Sequence, residues 1–108
     1  MPSAGYWRIV ERAHAAGVCV VGATVMPYEG WRDWTAGGEA LRPEVNAFIR
    51  DGGLFDEVVD FDAAISDPAH PSRMLPAYDG GDHLHPNDAG MRVTAETVAT
   101  TQLRCPRR

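Results

Sequence analysis

What is scarce in this sequence narrows its function first. Only two cysteines occur in 108 residues, Cys19 and Cys105, and neither belongs to a C-x-x-C pair. That count offers no disulfide framework and no zinc spacing. Cys19 lies inside the apolar run GVCVVGAT and reads as a buried free thiol. No stretch reaches the roughly 18 consecutive apolar residues of a membrane span, and the first twenty residues lack the basic start and apolar centre of a secretory leader. Basic residues are outnumbered, ten against fifteen acidic, and the net charge of -5 argues against nucleic acid or an anionic membrane as the main partner. Repeats and low-complexity segments are absent. What remains, 44% apolar and 23% charged, is the composition of a small soluble globular domain.

Along the chain, residues 4 to 16 place Tyr6, Ile9, Val10, Ala13 and Ala16 at helical spacing, with Gly17 as the stop. His14, on the same segment, reads as solvent-facing without a special role. Residues 18 to 24, VCVVGAT, form a short Val-rich run suited to a parallel strand covered on both faces. The loop MPYEGWRDWTAGG follows, and then a second helix over 39 to 50 with Leu41, Val45, Phe48 and Ile49 inward. Pro43 is compatible with that helix only near its first turn. FDEVVDF, 55 to 61, predicts a second strand, with Asp62 capping the helical turn AAIS. Residues 67 to 86 hold four prolines and predict a long loop of the kind that carries function. Asn87 or Asp88 then caps a last helix over 89 to 100, with Met91, Ala95, Val98 and Ala99 inward, and TQLRCPRR reads as a frayed tail.

Alternating helices and strands predict βαβ units in a parallel sheet with helices on both faces. Two strands alone cannot bury their faces and edges, so part of the sheet is expected from outside this sequence.

The chemistry concentrates in YDGGDHLHPNDAGM, residues 78 to 91. Asp82 and His85 stand three apart, opposite in a straight strand, so their side chains meet only if residues 82 to 84 turn. Gly80 and Gly81 permit a turn, and Pro86 holds His85 extended. A helix N-terminus disfavours an imidazolium by roughly 0.3–1 kcal/mol, less than the roughly 1.5–3 kcal/mol of a hydrogen bond to a carboxylate. His85 is thereby a competent general base, its Nδ1 tied to Asp82 and its Nε2 free. Two other readings compete: a solvated turn, and a metal site using Asp82, His83 and His85 with His70, whose third and fourth ligands lack anchors.

DHLHPNDAG before an amphipathic helix resembles the last sequence block of the SGNH hydrolases, or GDSL esterases and lipases. GVCVVGATVMPYEG resembles the family's late strand and following loop, and the remaining blocks keep the family's order from about residue 4 to 100. The resemblance implies a three-layer, flavodoxin-like α/β sheet and a Ser-His-Asp triad in which His85 is the base and Asp82 its orienting acid. It implies no cofactor and no metal. The substrate it implies is a small-molecule ester, whether lipid, acyl or carbohydrate. The family's G-D-S and G-x-N-D blocks, which carry the nucleophile and oxyanion donors, do not occur, and Ser3, Ser66 and Ser72 lie in other contexts.

Residues 1–103 therefore read as the C-terminal portion of one SGNH hydrolase domain whose N-terminal strands are missing, with 104–108 as tail. One expectation is a fragment of an ester hydrolase; the alternative is a non-catalytic half-domain that needs a partner chain to complete its sheet. The family is often secreted, but this sequence assigns no compartment.

Overall fold

The computed structural model describes residues 3–103; the tail 104–108 and Cys105 lie outside the described residues. Helix α1, Ser3–Ala15, ends where the sequence predicts. Gly17 takes a φ of +77°, and the amides of Gly17 and Val18 reach back to the carbonyls of His14 and Ala13, each at 2.9 Å. This closure satisfies carbonyls that the helix would otherwise leave open, and a side chain at Gly17 would strain it.

Strand β1, Val21–Ala23, pairs in parallel with β2, Glu57–Val59, in the register Val21 to Glu57. Helix α2, Ala36–Asp51, joins them. It begins a turn earlier than expected because Thr35 caps it, its hydroxyl accepting the Gly38 amide at 3.0 Å. Pro43 consequently sits in the helix interior, where its ring nitrogen gives the Glu39 carbonyl no hydrogen. The Tyr6 ring stacks on Phe48 of α2 at 6.0 Å and meets Phe55 edge-on at 6.1 Å, which fastens α1 and α2 together.

Asp60, rather than Asp62, caps α3, Phe61–Ile65, accepting the Ala63 amide at 3.2 Å. The expected long loop after it contains a hairpin, β3 at Ser66–Asp67 against β4 at His70–Met74. Asp67 makes its turn by accepting the Ala69 amide at 2.9 Å. A 3-10 turn, Pro76–Tyr78, leads toward α4, Asp88–Thr100, which Asn87 caps.

The buried faces depart from the sequence reading. Among the described residues, six apolar side chains form the core: Val10, Ile49, Leu54, Val59, Ile65 and Met74. Nine large apolar side chains are exposed among the described residues, and four of these, Ile9, Leu41, Met91 and Val98, were expected inward. Strand β1 is covered on one face only: Gly22 is buried while Val21 and Ala23 are exposed, and the alternation continues past the strand with Thr24 buried and Val25 exposed. The apolar stripes are therefore present in the helices, but the surfaces that would cover them are not among the described residues.

Two further expectations are corrected. Cys19 is half-buried and is not a free thiol. His14 is not a bystander, because its Nε2 lies 2.8 Å from Asp56 Oδ2, a carboxylate that also accepts the Val20 amide. That pair joins the end of α1 to the entry of both strands.

Candidate active site

The chain between the 3-10 turn and α4 folds into a closed loop, residues 79 to 87. Its base is sealed by Asn87, whose amide donates to the Tyr78 carbonyl at 2.8 Å and whose side chain donates to the Ala77 and Asp79 carbonyls. The same side chain accepts the Gly90 amide at 2.9 Å, so loop closure and helix capping share one residue. Inside the loop, Gly80 donates to the His85 carbonyl at 2.8 Å, and Asp79 and Pro86 form an isolated antiparallel bridge. A Cβ on Gly80 would lie 2.5 Å from that carbonyl oxygen, so only glycine fits.

Within this frame Asp82 meets His85 as expected. Asp82 Oδ2 lies 2.6 Å from His85 Nδ1, and Oδ1 accepts the amides of Leu84 and His85, both at 2.9 Å. Those amides, chiefly that of His85, and the His85 ring hold the Asp82 carboxyl well below the usual carboxylate range. An ionised carboxylate only accepts, so Nδ1 carries the hydrogen and Nε2 is the basic nitrogen. The turn is made differently from the expectation. It is Asp82's own carboxylate that folds residues 82 to 84, with His83 in the left-handed region at a φ of +66°.

A second Asp–His pair stands beside the first. Asp79 Oδ2 lies 2.5 Å from His83 Nδ1, and Oδ1 accepts the amides of Gly81 and His83 at 2.8 and 3.1 Å. Burial works to raise the Asp79 carboxyl, but the Gly81 amide and the His83 ring and amide outweigh it and lower it. His83 is the one non-glycine residue with positive φ among the described residues, a conformation that costs about 1–2 kcal/mol for a side chain of this kind. The pairing of Asp79 with His83 was not expected from the sequence, although D-x-x-x-H carried the same local signal as D-x-x-H.

His85 is largely exposed and, with Gly81, Asp82, His83 and Leu84, lines an open cleft of about 570 Å³. Gly30, Trp31 and Arg32 form the opposite wall. Gly30 seats directly on the His83 ring, since a Cβ there would come within 2.9 Å of Cγ. Of the aromatics in that loop, Trp31 borders the cleft, and Tyr28 meets it edge-on at 6.2 Å. Glu29 anchors the loop to the hairpin, accepting from Ser72 Oγ at 2.7 Å and Arg73 Nε at 2.8 Å. His70 lies 3.4 Å from Glu29. Among the described residues no three His, Cys, Asp or Glu side chains converge as a metal site.

The loop's root at Val25 is fixed by buried polar groups that sequence reading missed. Asn46, fully buried, accepts the Val25 amide at 2.7 Å and donates to its carbonyl at 3.0 Å. Arg42, also buried, donates to the carbonyls of Val25 and Pro71 and pairs with Asp62 and Glu39. Asp60 serves the sheet end, bonded to Thr24, Arg50 and its own helix cap, and does not line the cleft.

The pattern of the GDSL-like Lipase/Acylhydrolase family matches residues 2–93, most of the chain and all of this loop. The chain belongs to that family. The GDSL-like fold is seen again in the crystal structure of a Bacteroides fragilis protein assigned as an acylhydrolase, with a TM-score of 0.61 at 21% identity. The similarity covers 85% of this chain but 45% of that one, so the GDSL-like chain described here spans less than half of the matched protein. No curated protein matches the sequence. The three serines of this GDSL-like chain stand apart from the cleft lining: Ser3 opens α1, Ser66 begins β3, and Ser72 of β4 is engaged with Glu29.

Proposed function

We propose that residues 1–103 are the C-terminal portion of a serine ester hydrolase and supply its base and orienting acid, His85 and Asp82. The observation that carries this reading is the 2.6 Å contact of Asp82 Oδ2 with His85 Nδ1, on a carboxylate whose other oxygen is held by two amides. The family match over residues 2–93 supports an ester as substrate and acyl transfer as reaction class. The nucleophile and oxyanion donors come from outside these residues. The exposed Val21 of β1 and Val25 just beyond it support that, marking a face on which further strands would pack.

In the proposed reaction, His85 Nε2 takes the hydroxyl proton of an incoming serine as its oxygen attacks the ester carbonyl. Asp82 fixes the ring's tautomer and stabilises the imidazolium that forms. Collapse of the tetrahedral intermediate breaks the ester bond, and His85 returns the proton to the departing alcohol. Water then repeats the sequence on the acyl-enzyme and regenerates the serine. The open cleft beside Trp31 takes a small-molecule ester, with neither cofactor nor metal in the chemistry.

The test joins this chain to a GDSL-bearing N-terminal half and follows hydrolysis of a short acyl ester. His85→Ala is expected to lower kcat by about 10⁴-fold or more, and Asp82→Asn by about 10²- to 10⁴-fold with KM little changed. Activity indifferent to His85→Ala sinks the assignment.

A further inference from the structure

We propose that Asp79, acting through His83, is the positioning residue that holds Asp82 and His85 in contact. The inference rests on the reading of that pair as acid and base, and adds two residues to which the hydrolase resemblance assigned no role.

The loop winds round two carboxylates in succession. Asp79 gathers the Gly81 and His83 amides and the His83 ring; Asp82 gathers the Leu84 and His85 amides and the His85 ring. His83 stands where the two turns join, and its positive φ directs the next two amides toward Asp82. An ordinary side chain left alone returns to negative φ. Three restraints prevent that here: the amide bond to Asp79 Oδ1, the ring bond to Asp79 Oδ2, and Gly30 against the ring. Asp79 is itself well enclosed, its side chain 12% exposed and its carbonyl bonded to Asn87. The catalytic pair, by contrast, is exposed, with side chains 47% and 75% open for Asp82 and His85. No surrounding packing fixes it, so its geometry depends on the turn that precedes it.

Removing the Asp79 carboxylate should therefore release His83, swing the Leu84 and His85 amides away and separate Asp82 from the His85 ring. A glycine at 83 should undo the damage, because glycine holds positive φ without a carboxylate to enforce it. A residue that merely stabilised the fold would not show that rescue.

The experiment is NMR on the 108-residue chain, following the low-field Nδ1 proton of His85 and the titration of the Asp82 carboxyl. Asp79→Ala is expected to lose the His85 signal and to move the Asp82 titration up toward the ordinary carboxylate range. Asp79→Ala with His83→Gly should recover most of both, and His83→Gly alone should keep them. If Asp79→Ala does not fold, Asp79→Asn reads the same point: it keeps an acceptor for the amides but gives the ring no charged partner, so Asp82 should move part of the way. An unmoved Asp82 in either variant, or a double variant no better than the single, overturns the proposal. Loss of the His85 dependence in the hydrolysis assay would remove the catalytic reading while leaving this NMR result standing.

Discussion

Replacing Asn46 by alanine removes both hydrogen bonds that this fully buried side chain makes to Val25. The two ends of Val25 then fare differently. Its carbonyl keeps the Arg42 guanidinium at 3.1 Å, while its amide loses the acceptor that held it at 2.7 Å. Losing its acceptor costs this part-buried amide about 1–2 kcal/mol and the weakened carbonyl on the order of 0.5–1 kcal/mol, so about 1.5–3 kcal/mol is expected in sum. Asn46→Leu separates this polar loss from the void an alanine leaves, because leucine has nearly the same shape at Cγ. Urea unfolding of both variants gives the free energies, and hydrogen exchange at the Val25 amide gives the local effect. Both should be destabilised, alanine the more, with Val25 protection lost in each. An Asn46→Leu variant within about 0.5 kcal/mol of the parent refutes the polar account. The consequence reaches the cleft, since Val25 roots the loop carrying Gly30 and Trp31.

Acid should weaken the fold through Asp60. Burial works to raise its carboxyl, but the Arg50 guanidinium, the Ala63 amide and the Thr24 hydroxyl together hold it below its ordinary value. A carboxyl lowered in the folded state contributes stability above its unfolded value, about pH 4, and loses it as pH falls through the lower folded value. Asp60→Asn should accordingly be less stable at pH 7 and show a shallower decline in urea midpoint between pH 5 and pH 3; parallel curves count against this. Gly80→Ala should destabilise by on the order of 1–3 kcal/mol, because its Cβ meets a backbone carbonyl that cannot swing aside. Gly37→Ala, with nothing within 4 Å in the first turn of α2, should instead stabilise by about 0.4–1 kcal/mol in the same urea unfolding.

The sequence disclosed local structure far better than it disclosed what is buried. Asp82 and His85 were legible because two glycines, a carboxylate and a proline signal a turn within a few residues of sequence. The stop at Gly17 and the cap at Asn87 were legible for the same reason. Inward faces were not. Ile9, Leu41, Met91 and Val98 mark apolar stripes correctly, but a stripe states only that a side chain favours cover, and the described residues do not provide it. The groups buried in α2 are Arg42, Asn46 and Ile49, and the first two are buried because Val25, Asp62 and Pro71 come to them from 17 to 29 residues away. No periodicity announces such partners. The hairpin at 66–74 was missed although Asp67-Pro68 is a turn signal, since four prolines were taken together as evidence of loop.

The two parts of the molecule differ in how far apart in sequence their contacts lie. Hydrogen bonds between the strand entries join residues 36 positions apart, whereas the side-chain bonds that shape the loop span ten or fewer. Closing a ten-residue loop takes about 10–100 ns, while parallel pairing has to wait for the helix between the strands and is intrinsically slow. The Asp82–His85 contact should therefore form early on the folding path and the sheet late. Conditions that fray the sheet should leave the loop re-forming rapidly, with its two histidines beside their carboxylates before the strands have met.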